Sequence, residues 1–319
     1  MNATEDDGPA PRRSRRKSAF MRVAVWTKAG GDVLRTMDEK NLFLMAAGVA
    51  FFSMLSLFPG LAALIAIWSL VSDPSVVEAQ LVLLANFVPA EAYKLIGDQV
   101  RAVTSSSTDT MTWASVLSLL FALWSARLGV DALMRGVNAV YRESNRGGLR
   151  HILAAVALTL SLVALGVVTL GTVIVTPIVL AVFPLGPIAG VVAQLMRWLI
   201  AGVVMLIALA LVYRFGPNRR GARAAWITPG AFLALLLWAG ASVAFSMYLT
   251  NFGNYNQVYG SIGAVIALLM WLFISAFAVL LGASLNAALE LRTRRDSTIG
   301  RPRPRGERGA YVADHYIPS

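Results

Sequence analysis

Arg127, Asp131, Arg135 and Asn138 recur at intervals of four, four and three residues inside a largely apolar stretch from Trp113 to Tyr141. On a helix that spacing puts all four on one face. At 1.5 Å per residue Arg127 lies about 21 Å from Trp113 and Arg135 about 33 Å, so the first falls within a hydrocarbon layer and the second near its edge. Ionisable groups at such depth are costly and face a bundle interior or a wet cavity. Two uses fit. Arg127 and Asp131 can neutralise each other in packed protein while Arg135 snorkels out. Alternatively the strip lines a polar cavity and holds an anionic headgroup through charge-assisted bonds. Arg197, inside a later apolar run, and Asn254, Tyr255 and Tyr259 at a loop rich in amides complete this candidate substrate-binding set.

Other chemistry is poorly provided for. There is no cysteine, hence no thiol nucleophile and no disulfide framework. The two histidines, His151 and His315, are far apart in sequence, and no dense Asp/Glu group accompanies either. A metal-dependent hydrolase needs such clusters on one aqueous face. Neither a P-loop, a nuclease-type histidine motif nor a Ser/His/Asp set is present. The expectation is a protein that is not an enzyme, with no catalytic residues, no metal ligands and no cofactor.

The elements that carry these residues are apolar and long. The 319-residue chain is 57% hydrophobic and only 14% charged, against roughly 25% charge in soluble domains; its mean hydropathy is +0.65. From Ile262 to Leu285 no charged residue occurs, which exceeds the roughly 20 apolar residues a membrane helix needs. Six such spans are read at about 42–70, 113–141, 152–183, 188–213, 226–249 and 258–290, making 19–291 one transmembrane domain. Pro59 predicts a kink in the first, relieved by Ser53 and Ser56. Gly260 and Gly263 predict close helix packing in the last. Residues 19–37 read as an amphipathic interfacial segment broken at Gly30-Gly31, and 71–112 as an extracytoplasmic amphipathic hairpin. Residues 1–18 and 292–319 read as disordered basic tails. No cleavable signal sequence is evident at the N-terminus.

The formal net charge of +11 first suggests nucleic acid. Its placement says otherwise. Basic residues collect in both tails, in Arg142–Arg150 and in Arg214–Arg223, while the intervening loops are acidic, uncharged or very short. That alternation is the positive-inside pattern, with both termini cytoplasmic and an even number of spans. The fold class expected is therefore an all-α polytopic membrane protein with about six transmembrane helices, in contact with lipids and not with nucleic acid.

Several short motifs add a resemblance: Ala46 to Pro59; Trp124-Ser125 with Asn138; Tyr213 with Pro217; Pro229-Gly230-Ala231 with Trp238; Tyr248; Tyr259-Gly260-Ser261-Ile262-Gly263 with Trp271; and Gly282-Ala283-Ser284-Leu285-Asn286. With these the chain resembles the YihY/virulence-factor BrkB family of bacterial inner-membrane proteins, once described as ribonuclease BN, from about Asp38 to Asn286. The resemblance implies six spans in the cytoplasmic membrane and links to envelope lipid handling. Two positions depart from it. Phe51-Phe52 stand where relatives often carry tyrosines, and Ser284 where they commonly carry glutamate, so proton coupling through that carboxylate is not expected here.

The function expected is translocation or handling of a lipid or other anionic amphiphile. The alternative is a non-catalytic scaffold for envelope assembly working through the basic tails; ribonuclease activity is disfavoured. Substrate, direction, energy source and oligomeric state are not legible.

Overall fold

Long apolar runs cannot leave backbone groups unpaired in lipid, so they close their hydrogen bonds within helices. The computed structural model describes residues 13–71, 113–182, 189–219, 228–251, 261–292, 301 and 303–317, and every regular element among them is a helix. In chain order these are α1 (Arg13–Glu39), α2 (Leu42–Val71), α3 (Trp113–Tyr141), α4 (Gly148–Val182), α5 (Ala189–Phe215), α6 (Pro229–Asn251), α7 (Ser261–Leu291) and the single turn α8 (Tyr311–Asp314). This is an all-α membrane protein. Three stretches, Gly148–Gly166, Pro229–Met247 and Val265–Leu291, are each long and apolar enough to cross a bilayer, and Leu42–Ser56 and Leu199–Phe215 are shorter apolar helices.

Successive helices pack side by side from α2 to α7, and α7 returns to α2, closing a ring that α7 also crosses to touch α3. About a fifth of each of the three clear spans is buried. The remainder presents leucine, valine, isoleucine and phenylalanine outward, as a lipid-facing surface does and a water-facing one rarely does. The largest cluster of buried side chains joins Leu42, Ala46 and Val49 of α2, Val137 and Tyr141 of α3, Leu209 and Tyr213 of α5, and Leu280 and Ala283 of α7. These positions lie toward one end of the bundle. Gly129 of α3 lets α2 approach closely, since an added Cβ would touch the Ser53 side chain.

Three expectations change. The Gly30-Gly31 break does not occur, and the helix is continuous from Arg13, so residues 13–18 are helical rather than disordered. Two glycines cost a helix about 0.5–1 kcal/mol each. Here Ala29 and Val33 are buried against Leu285 and Ala288, and Asp32 takes both Nε and Nη2 of Arg292, at 2.8 and 2.6 Å. Those tertiary contacts hold the helix across the glycines. Likewise α2 runs unbroken through Pro59; Ser56 donates to the Ser53 carbonyl at 2.8 Å, not to the Leu55 carbonyl that proline leaves free.

The third change concerns the C-terminal tail, which is ordered over 303–317. Val312 joins the main core, Ala310 and Ala313 are buried, and the Ile317 N–H donates to the Leu291 carbonyl at 2.9 Å. Asp314 gathers the N–H groups of Gly306, Arg308 and Gly309 at 2.8, 2.9 and 3.2 Å. The hairpin read at 71–112 lies outside the described residues except at its first position.

Candidate functional site

The polar face of α3 divides into three arrangements. Arg127 sits half-buried with its guanidinium 4.4 Å over the Trp124 ring, and its buried Nε has no hydrogen-bond partner among the described residues. Asp131 does not pair with it. The Asp131 carboxylate instead accepts from Arg135 Nε at 2.9 Å and meets His151 Nε2 of α4 in a short contact. This corrects the Arg127–Asp131 pair expected from spacing. Arg127 and Asp131 are four apart on the same helix, but Arg135 stands equally close on the other side, and His151 arrives from the neighbouring helix. Arg135 does reach outward, with over half its side chain exposed. His151 is 6% exposed, and its other ring nitrogen, Nδ1, has no partner among the described residues.

Asn138, the fourth residue of the strip, faces a different task. Its Oδ1 accepts from the Asn218 backbone N–H at 2.7 Å and its Nδ2 donates to Asn145 at 2.9 Å. Beside it, Arg146 forks onto the carbonyls of Phe215, Gly216 and Pro217 at 3.1, 2.9 and 2.8 Å. The last carbonyls of a helix lack partners within it, and a guanidinium there satisfies them and opposes the dipole. Burial lowers the Arg146 pKa from its ordinary value.

A second clamp joins α6 to α7. Thr228 caps α6 by accepting the Ala231 N–H at 3.1 Å, with Pro229 at the first helical position, where its missing N–H costs nothing. Asn286 accepts from the Gly230 N–H and donates to Thr228 Oγ1, both at 2.8 Å. Gly230 and Gly282 bring the two backbones together so closely that a Cβ on either would strike the other's carbonyl oxygen. Tyr213 of α5 donates to the Val279 carbonyl at 2.7 Å. Arg219, over the Tyr141 ring at 4.6 Å, closes an ion pair with Glu290.

The family model for virulence factor BrkB matches residues 33–307. The chain belongs to that family. It is 29% identical over 263 residues to the ribonuclease-like protein YfkH of Bacillus subtilis, a match covering 78% of this chain and 90% of YfkH. It is 26% identical to a UPF0761 membrane protein of Idiomarina loihiensis, covering 65% and 71% of the two chains, and 25% identical to one of Vibrio vulnificus, covering 88% and 85%. No solved structure matches.

The clamps account for many of the residues on which the BrkB resemblance rested. Asn138, Tyr213, Pro217, Gly230, Gly282 and Asn286 all fasten helix ends. They bring the end of α3, the start of α4, the end of α5, the start of α6 and the end of α7 to one end of the bundle. These are the ends beside the basic loops. The tail joins them there: the Tyr311 N–H donates to Glu143 at 2.8 Å, and Arg142 lies 5.6 Å from the Tyr311 ring centre. Burial raises the Glu143 pKa above the usual range, partly opposed by that N–H.

Of the remaining candidates, Gly263 is buried. The Arg197 side chain and Asn254, Tyr255, Tyr259 and Gly260 lie outside the described residues. Sequence reasoning overlooked His151 as the partner of Asp131, because twenty residues and a loop separate them. It also overlooked Arg146, Arg219 and Glu290, which read as topology signals but form specific contacts.

Proposed function

We propose that this BrkB-family protein of the bacterial cytoplasmic membrane translocates or otherwise handles an anionic amphiphile, with Arg127 meeting its headgroup. The observation that carries this reading is the Arg127 guanidinium, stacked on the exposed Trp124 with a buried Nε lacking a partner among the described residues. A cation that far from a helix end is expensive unless it serves an anion. Asp131 cannot be that anion, since Arg135 and His151 occupy it. Trp124, Phe121 and Leu120 are exposed on the same helix and would meet acyl chains.

In this reading six helices cross, both termini are cytoplasmic, and the end gathered by the clamps faces the cytosol, where its arginines belong. No catalytic step is assigned. A scaffold acting through loose basic tails is less favoured, because 303–317 packs onto the bundle instead of reaching outward. Reconstitution into vesicles tests the proposal, with Arg127→Ala as the informative variant.

A further inference from the structure

At the clamped end, a cleft of about 230 Å³ opens where α1, α7, the end of α3 and the C-terminal tail meet. Its shape follows from two helical faces with the same spacing. Asp32, Arg35, Thr36 and Glu39 line it from α1, at i, i+3, i+4 and i+7. Ser284, Ala287, Ala288 and Leu291 line it from α7 at the same intervals. Small side chains on the α7 face leave the volume unfilled. Arg142 and Ile317 contribute from α3's end and the tail.

Two features single this cleft out from a packing gap. Ser284 is 2% exposed, yet its Oγ has no hydrogen-bond partner among the described residues. A buried hydroxyl left unpaired is costly, and here its residue lines an open cleft. The charges also fail to balance. Asp32 is held by Arg292 at 2.6 Å and Glu39 by Arg35 at 2.5 Å; the Arg35 bond keeps the Glu39 carboxyl below its usual pKa range. Arg142 hydrogen-bonds only to a neutral group among the described residues, the Tyr311 hydroxyl at a long 3.3 Å, and lies by that ring; it reaches Glu39 through its field alone. Among those residues, one guanidinium is therefore left without a carboxylate hydrogen bond, beside a hydroxyl left without a partner.

We propose that the cleft binds a phosphate group, with Arg142 and Ser284 Oγ as donors and Arg35 contributing field. Its size sets the class of ligand. The volume is below the roughly 300–1,000 Å³ of pockets for drug-sized molecules. A headgroup or a small phosphate ester fits; a whole lipid does not. The site is separate from Arg127 and stands whether or not the protein translocates anything.

The test uses the full chain in nanodiscs of neutral lipid, titrated with inorganic phosphate by calorimetry. A parallel arm adds phosphatidylglycerol and counts retained lipid by native mass spectrometry. Saturable phosphate binding assigns the site to a free phosphate compound; one retained phosphatidylglycerol per chain without phosphate binding assigns it to a lipid headgroup. Either way, Arg142→Gln and Ser284→Ala weaken binding about tenfold or more, while Arg127→Ala leaves it unchanged. Arg142→Gln removes the guanidinium charge and Ser284→Ala the hydroxyl, neither adding volume, and thermal unfolding reports whether each variant is folded. Absence of binding in both arms, or binding untouched in both folded variants, overturns the proposal. So does loss in Arg127→Ala alone.

Discussion

His151 holds Nε2 against the Asp131 carboxylate, so a residue in the first turn of α4 fixes one in the second half of α3. Arg135 shares that carboxylate. Removing it strands one buried donor and one outward-reaching cation. Asp131→Ala should therefore destabilise the purified protein by about 1–3 kcal/mol, while Asp131→Asn, which keeps an acceptor, should cost nearer the ~0.6 kcal/mol typical of interhelical bonds in membranes. Thermal unfolding in detergent ranks the two. Equal losses would mean that a neutral acceptor does not replace the carboxylate, and no loss in either that its contacts contribute nothing.

The glycines of α6 offer a contrast within one helix. A Cβ at Gly230 meets the Gly282 carbonyl and the Asn286 side chain, whereas one at Gly240 meets nothing within 4 Å. Gly230→Ala must push the α6 and α7 backbones apart and should cost more than the ~1–3 kcal/mol of ordinary overpacking, lowering the yield of folded protein. Gly240→Ala should be neutral or gain up to about 1 kcal/mol from helix propensity. Size-exclusion profiles of the two variants check this.

Much of this arrangement is legible in the sequence, and the reason is physical. Apolar runs bounded by polar and charged residues make α2 and α3 helical, because lipid leaves the backbone no alternative to helix. Pairing is not legible. Spacing suggests Arg127 with Asp131, but the i+4 geometry equally serves Arg135, and His151 enters only when two helices fold together. The tail misleads for a related reason: Arg301-Pro302-Arg303-Pro304-Arg305 reads as unstructured, while Val312 finds its place only against the core formed by the other helices.

Glu143 supplies a pH signature. Its pKa is raised by burial, so the folded state favours its protonated form. The contribution is fully present below the usual glutamate range and fades as pH rises through the raised value. The stability of wild type relative to Glu143→Gln should therefore fall as pH rises across that window. A difference that is flat, or that grows with pH, contradicts this burial. Melting curves of both proteins at a series of pH values measure it.

The absence of cysteine makes topology simple to probe. Single cysteines at Asn145 and at Glu307, both exposed and at the clamped end, should resist an impermeant thiol reagent in intact cells and react after permeabilisation. Labelling of either from outside reverses the proposed orientation.

The most direct measurement of the central claim is the rate at which labelled phosphatidylglycerol crosses the bilayer of vesicles containing the purified protein. Wild type is expected to exceed protein-free vesicles by about tenfold or more, one such factor corresponding to ~1.4 kcal/mol, and Arg127→Ala to fall back to the protein-free rate while remaining folded. Rates for wild type no faster than empty vesicles, or identical with and without the Arg127 guanidinium, contradict the account.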